Sequence, residues 1–360
     1  MSRLQRWLLA CVLLSMGLAA AAHYVSGVPH LAAFILAALA LAGQAWTVSF
    51  ATEQIGMRFG PAGTGVLQST VGNMPEFFVV LFALQAHERT VAETALIGSI
   101  LVNALLLLGI VLVTGSAREH GGVMRFHARL PNDTATLMLI ASLTIVLIAL
   151  VTSSGVQNGR HVETISVVGA VAMLAVYAIW MRQYLLGERQ RVLGTSGRRP
   201  DAEPEAPRLA LRTAILLLIM AGVGSAFVSD WFVSALAPTI HQLALTQSFT
   251  GMVIVAIAGN AVEHASGIYL AYRGKHDLAI SVVKNSVAQI AAFLYPLLVL
   301  VSMATATRLT FSLPPVWAGS LVGTAILIWQ ITGDGEATPF EGAALIAMYV
   351  VLATVSAFQR

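Results

Sequence analysis

The sequence predicts an all-α polytopic membrane protein of about eleven transmembrane helices, and three observations support this prediction. Only 10% of the 360 residues are charged, whereas a soluble domain carries about a quarter. Hydrophobic residues make up 57% of the chain. They gather into apolar runs of about 20 residues, which is the length that an α-helix needs to cross the hydrocarbon core of a bilayer. Lipid is therefore the expected solvent of most of the chain.

Eleven apolar runs are candidate membrane spans. They cover residues 7–26, 31–51, 62–86, 92–114, 133–153, 163–185, 210–230, 246–272, 278–303, 312–332 and 340–358. The first run follows Arg3 and Arg6, a pattern that also fits a signal peptide, although an uncleaved first helix is favoured. The single cysteine, Cys11, lies inside this run, which excludes an intrachain disulfide and a cysteine-based metal site.

The distribution of basic residues predicts the orientation in the membrane. With the N-terminus in the cytoplasm, 15 of the 20 Lys and Arg residues fall on the cytoplasmic side and 4 on the outer side, while Lys284 lies inside a span. Cytoplasmic loops of membrane proteins have this excess of positive charge. We therefore expect a multi-pass protein of the inner (plasma) membrane, with its C-terminus outside.

One long hydrophilic stretch divides the chain. It covers residues 187–209, is rich in Arg, Gly and Pro, and is expected to be a flexible cytoplasmic linker. It follows a first helix (1–30) and a first five-helix repeat (31–186), and it precedes a second five-helix repeat (210–360). Because five is an odd number, two related halves would have opposite topologies. Inverted repeats of this kind recur in transporters.

A short motif occurs once in each half. The first copy is Gly72-Asn73-Met74-Pro75-Glu76, and the second is Gly259-Asn260-Ala261-Val262-Glu263, which is followed by His264. The copies are 187 positions apart, and the same offset aligns Ser99 with Ser286. A carboxylate near the middle of a bilayer is energetically costly and is seldom kept without a function. The repeated Gly-Asn-x-x-Glu motif therefore predicts a functional site.

The residue types of the motif suit a hard cation. Asn and Glu three positions apart lie on one helical face, so Asn73 joins Glu76 and Asn260 joins Glu263. The glycine that opens each copy weakens the helix, and an interrupted helix exposes backbone carbonyls at membrane depth. Two carboxylates, two amides and these carbonyls form an oxygen-only site. Such a site suits calcium better than zinc or copper.

A second polar cluster follows each copy of the motif. It consists of Ser99 and Asn103 in the first half, and of Ser286 and Gln289 in the second half. For the two serines, ion binding and simple packing of helix against helix are equally good interpretations. Asn103 and Gln289 are expected to support ion binding, because amide side chains are bulky for packing.

Two further titratable residues are candidates for tuning the site. His264 adjoins Glu263, and it either adjusts the proton affinity of that carboxylate or makes a hydrogen bond between helices. Lys284 lies inside a span, which is unusual beside a cation site. Its side chain either snorkels to the membrane interface, the favoured interpretation, or pairs with Glu263 and weakens cation binding.

These segments resemble the two alpha-repeats of the calcium/proton exchangers, a branch of the calcium/cation antiporter superfamily. The resemblance covers residues 72–110 and 259–301, and it rests on both Gly-Asn-x-x-Glu copies, on His264 and on the Gly-Ser-x-x-x-Asn pattern that ends at Asn103. The neighbouring sodium/calcium exchangers usually show Gly-Thr/Ser-Ser-x-Pro-Glu instead. The run from Lys284 to Gln289 departs from the Gly-Ser-Ser-Thr-Gln that is typical of the family.

The resemblance implies a secondary active antiporter that exports a divalent cation, calcium above all, in exchange for protons by alternating access. Glu76 and Glu263 would bind the ion and couple it to protons. No enzymatic activity, cofactor or nucleic-acid partner is expected; the partners are the transported cation, protons and the lipid bilayer, and the oligomeric state stays open. Lys284 keeps open a sodium or potassium/proton antiporter on the same scaffold. An intramembrane enzyme is disfavoured, because the sequence has no nucleophile–base pair and no phosphate-binding loop.

Overall fold

The computed structural model describes residues 3–119, 121–127, 129–153, 159–194 and 207–359. These residues form α-helices, three π-helical segments and two short strands. In chain order the elements are α1 (Arg3–Tyr24), α2 (His30–Val71), α3 (Met74–Gln85), α4 (Arg89–Leu101), π1 (Val102–Leu107), α5 (Leu108–Ser116), β1 (Met124–Arg125), α6 (Arg129–Ser153), α7 (Gly159–Gly194), α8 (Leu211–Leu243), α9 (Gln247–Phe249), π2 (Thr250–Val255), α10 (Ala256–Gly259), α11 (Ala261–Tyr272), α12 (His276–Gln289), π3 (Ile290–Leu294), α13 (Tyr295–Ser302), α14 (Pro315–Thr332), β2 (Glu336–Ala337) and α15 (Pro339–Phe358).

Within the described ranges, nine helices are long and apolar enough to cross a membrane. A tenth span results if the pair Gln247–Gly259 and Ala261–Tyr272, which is bent by 61°, is counted as one. α3 is a shorter apolar helix in the region of the predicted third span. The predicted fold class, an all-α polytopic membrane protein, is therefore confirmed. The number of eleven spans and the inverted repeats stay predictions.

α8 continues to Leu243, beyond the predicted span 210–230. The structure is also helical at two places where a polar connection was predicted. No loop separates the spans predicted at 31–51 and 62–86, since α2 continues from His30 to Val71. α7 continues to Gly194, into the region of the predicted linker, whose residues 195–206 lie outside the described residues. Both differences have the same physical reason. Glu, Gln and Arg lower the hydropathy that marks a membrane span, but they are good helix formers.

The first of two compact units comprises Met1–Val79 and Ala175–Thr239. In this unit α1 packs along α2, and α2 packs on α8 through Phe34 and Phe232, whose ring centroids are 4.9 Å apart. The first copy of the motif, between α2 and α3, belongs to this unit. The polar residues of this motif copy consequently lie among helices whose other residues are mostly apolar.

The second compact unit comprises Val80–Leu174 and Ile240–Arg360. Its most buried spans are Arg89–Ser116 and His276–Ser302, in which 83% and 72% of the most apolar stretch is buried. Around them α6 packs on α14 and α5 packs on α15, while β1 and β2 pair antiparallel. The two central spans are those that contain the second polar clusters.

Each of these two central spans contains a π-helical segment. π1 begins three residues after Ser99, and π3 begins four residues after Ser286. π-helical segments are rare, and they are frequent at functional sites. The 187-residue offset that aligns the two motif copies thus also aligns these two irregularities to within one residue.

Candidate ion-binding site

Both copies of the motif interrupt a helix. After α2 ends at Val71, Gly72 and Asn73 form a turn before α3 begins. Asn260 separates α10 from α11, with φ −99° and ψ 16°. Glu76 and Glu263 consequently lie in the first turn of a new helix.

Four of the predicted site residues meet in the second unit, although they come from four different elements. Asn103 Nδ2 donates to Asn260 Oδ1 at 2.6 Å and lies 3.1 Å from Ser286 Oγ. Asn260 Nδ2 donates to Ser99 Oγ at 3.0 Å. All four residues are buried. The network joins α4, π1, the α10–α11 break and α12, and it includes Ser99 and Ser286, which the sequence offset aligns.

Several polar atoms near this network have no hydrogen-bond partner among the described residues. They include Asn103 Oδ1, Glu263 Oε2 and His264 Nε2, all of which are buried. Buried polar atoms of folded proteins are nearly always paired. Two of these three atoms are oxygens that accept hydrogen bonds or bind cations. The second unit therefore offers oxygen atoms that a cation could satisfy.

The other predicted ligands are also buried; they are Asn73, Glu76 and Gln289. Asn73 and Glu76 belong to the first unit and are 7% and 6% exposed. The carbonyl of Pro75, directly before Glu76, accepts a hydrogen bond from Ser229 Oγ of α8 at 3.4 Å. Gln289 ends α12 in the second unit. Within the described residues, no three His, Cys, Asp or Glu side chains form a group that could hold a metal ion.

Lys284 is bonded to a neighbouring helix. Its side chain is fully buried, and its Nζ donates to Thr332 Oγ1, in the last residue of α14, at 3.3 Å. Snorkelling to the membrane interface stays a prediction. Among the described residues, Lys284 does not form the alternative pair with Glu263. Two positions along a helix correspond to a rotation of about 200°, so Lys284 and Ser286 lie on opposite faces of α12.

Three buried hydroxyl groups are not among the residues predicted from the sequence. They are Thr332 beside Lys284, and Ser225 and Ser229 on α8. Ser and Thr are common in membrane helices, so the residue type alone gives no signal. The one available signal is spacing, because Ser225 and Ser229 are four positions apart and share a helical face.

Comparison with known proteins identifies the family. Residues 29–182 and 213–358 match the family described as sodium/calcium exchanger protein. The chain is 33% identical over 348 residues to the Ca(2+)/H(+) antiporter of Synechocystis sp. (strain ATCC 27184 / PCC 6803 / Kazusa), with 92% of each chain covered. It is 32% identical over 305 residues to the Ca(2+)/H(+) antiporter ChaA of Bacillus subtilis (strain 168), with 84% of this chain and 85% of that protein covered. The solved structure of native YfkE has a TM-score of 0.79 at 24% identity, over 98% of this chain and 99% of that one. The chain therefore belongs to the sodium/calcium exchanger protein family.

Proposed function

We propose that the protein is a secondary active antiporter that exports calcium in exchange for protons by alternating access, without a cofactor. Its similarity to two proteins named Ca(2+)/H(+) antiporters supports this reaction. One structural observation supports the assignment to residues. Each motif copy breaks a helix and puts its glutamate in the first turn after the break.

Glu76 and Glu263 are the proposed ion-binding residues. Supporting oxygen ligands are proposed from the amides and hydroxyls of Asn73, Asn260, Ser99, Asn103, Ser286 and Gln289. Calcium takes about six to eight oxygen ligands and accepts carboxylate, amide and carbonyl oxygens. Asn103 Oδ1 and Glu263 Oε2, which have no hydrogen-bond partner in the described part of the chain, support this donor set within the second unit. His264, which adjoins Glu263, is proposed to adjust the proton affinity of that carboxylate.

The same two carboxylates are proposed to couple transport to protons. A neutral carboxyl group binds a cation poorly, so protonation of Glu76 and Glu263 displaces the ion. The protonated side chains are uncharged, which lowers the cost of the return step inside the membrane. Two carboxylates correspond to two protons for each calcium ion, and this exchange transfers no net charge.

The rival proposal, sodium or potassium exchange, rests on Lys284 and on the departure of the second polar cluster, residues 284–289, from the family pattern. Lys284 bonds to Thr332 on the face of α12 opposite to Ser286, so it does not occupy a ligand position beside the polar network. Calcium therefore stays the favoured cargo. Competition by sodium and potassium against calcium uptake compares the two proposals directly.

The decisive experiment is radioactive calcium uptake into inside-out vesicles with an imposed pH gradient. Wild type is expected to take up calcium only while the gradient lasts, and Glu76→Gln and Glu263→Gln are expected to reduce uptake to background. Glu336→Gln is the matched control, because Glu336 is an exposed acid paired with Arg125 at 2.9 Å. Wild-type vesicles that exchange sodium or potassium but never calcium would overturn the proposed cargo.

We also propose a cytoplasmic N-terminus, an outer C-terminus and inverted repeats at 31–186 and 210–360. The excess of basic residues on one side and the matching π-helical segments support these proposals. Single cysteines replacing Asp334 and Ala306 in a Cys11→Ser background test the orientation. A membrane-impermeant thiol reagent should label Ala306→Cys in intact cells and Asp334→Cys only in inside-out vesicles. The reverse labelling pattern would invert the topology.

A further inference from the structure

Ser225 and Ser229 of α8, in the first unit, do not make the hydrogen bond that Ser and Thr side chains usually make in a helix. Buried Ser and Thr side chains in helices commonly donate to the carbonyl three or four positions earlier. Thr239 of α8 does so, at 2.7 Å from Ala235 O. Ser229 and Ser225 are both fully buried, yet Ser229 Oγ bonds to Pro75 O, and Ser225 Oγ has no partner among the described residues.

The face of α8 that carries Ser225 and Ser229 lies against the first copy of the motif. At Gly222, a Cβ atom would lie only 2.8 Å from Met74 Cε, so the α8 backbone touches this methionine. Gly222, Ser225 and Ser229 follow one another at intervals of three and four residues and share one helical face. Gly222 meets Met74, and Ser229 meets Pro75. Ser225 therefore lies on the same face of α8, one helical turn (about 5.4 Å) from the residue that contacts Pro75.

A buried amide lies on the other side of α8 in the same unit. Gln44 of α2 is 4% exposed, and its Nε2 donates to Met16 Sδ at 3.4 Å. Its Oε1 lies 3.0 Å from the position that a Cβ atom of Gly224 would take. The amide nitrogen thus has a weak sulfur acceptor, and the whole amide group packs against the backbone of α8 at Gly224.

An unpartnered hydroxyl group is costly in these surroundings, because no bulk water can satisfy it. Its oxygen is a ligand that hard cations accept. We propose that Ser225 is a further ligand of the transported divalent cation on its way to Glu76. Ser229 is a positioning residue, which holds the Pro75 carbonyl and thereby the start of α3. This inference rests on the proposed function, since it presumes that Glu76 receives the ion.

The test replaces the hard oxygen ligand by a soft sulfur ligand. In a Cys11→Ser background, which has no other cysteine, Ser225→Cys should make calcium uptake sensitive to roughly tenfold lower cadmium concentrations, because thiolates select soft metals. Ser225→Ala should raise the KM for calcium by roughly tenfold with little change in Vmax. Ser225→Thr keeps the hydroxyl group and should restore the wild-type KM. Thr239→Cys and Thr239→Ala are the matched controls, because this buried hydroxyl on the same helix bonds to its own backbone.

Ser229 is tested by a different readout. Ser229→Ala should lower Vmax more than it changes the KM for calcium, because it releases the start of α3 without removing a ligand. Ser229→Thr keeps the hydroxyl group and should keep the rate. A change confined to KM would contradict the positioning role.

The outcomes separate this inference from the proposed function. Equal cadmium sensitivity of Ser225→Cys, Thr239→Cys and the background, together with an unchanged KM in Ser225→Ala, would overturn the role of Ser225. If Glu76→Gln is inactive in the same assay, the proposed function stands and only the role of Ser225 fails. If Glu76→Gln exchanges calcium as wild type does, the proposed function itself fails. Ser225→Cys keeps the test decisive if Ser225→Ala does not fold.

Discussion

The hydrogen bond between Asn103 and Asn260 gives a prediction that a double-mutant cycle can measure. The two side chains are 0% exposed and are joined by a bond of 2.6 Å. Asn260→Ala removes three hydrogen bonds, those with Asn103 Nδ2, Ser99 Oγ and Ala256 O. Asn103 Nδ2 keeps Ser99 O and Ser286 Oγ as acceptors. Orphaned buried polar groups cost about 1–3 kcal/mol each in soluble proteins, whereas single hydrogen bonds in membrane proteins average about 0.6 kcal/mol. We expect a loss of about 2 kcal/mol for Asn260→Ala.

The coupling energy between the substitutions of Asn103 and Asn260 tests the hydrogen-bond network. Asn103→Ala and Asn260→Ala are expected to show a coupling energy of about 1 kcal/mol, because Asn103→Ala leaves Asn260 Oδ1 without its donor and this cost disappears when Asn260 is also replaced. Equilibrium unfolding in mixed detergent micelles, with calcium chelated to remove stabilisation by bound ligand, gives the four free energies. Asn103→Ala combined with Thr338→Ala is the control, and it should be additive within about 0.5 kcal/mol. Additivity of the Asn103 and Asn260 substitutions would refute the network.

Three further predictions follow from close contacts and charge. Gly98→Ala puts a Cβ atom onto the Met252 backbone and should destabilise the protein by about 1–3 kcal/mol. Gly319→Ala should not lower the melting temperature, because no atom of the described residues lies within 4 Å of its new Cβ. Thr332→Val removes the observed acceptor of Lys284 and should lower the melting temperature, while Lys284→Met should leave it unchanged or raise it. Two protons for each calcium ion make exchange insensitive to an imposed membrane potential; a reversal potential that requires three protons would contradict the two-glutamate coupling.

The parts of the site that could be predicted are those where a polar residue interrupts an apolar background. Asn260 and Asn103 were identified because amides are rare in membrane helices and costly without a partner, and the structure places them 2.6 Å apart. The helix breaks at Gly72 and Asn260 were predictable for a related reason. A glycine beside a polar residue weakens a helix, and the repeated motif does so twice.

The parts that could not be predicted depend on the partner helix rather than on the residue itself. The direction of Lys284 is set by Thr332, which is 48 positions away, and neither interpretation drawn from the sequence includes that residue. Ser225 and Ser229 look like ordinary packing residues until α8 is placed against Pro75. The uninterrupted α2 was missed because Glu53 and Gln54 lower hydropathy without disfavouring a helix.

The position of Lys284 limits how its charge can act on a cation site. Its Nζ bonds to Thr332, on the face of α12 opposite to Ser286, so it can influence a bound ion through its electric field but not as a competing ligand. A field acts on charge and not on ionic radius, and the interaction energy is proportional to the charge of the ion. Lys284→Met should therefore raise the affinities for calcium and strontium by the same factor, and that factor should be the square of the factor for sodium. Competition binding to the purified protein measures all three factors. A gain for calcium without an equal gain for strontium would mean that Lys284 acts through the geometry of the site.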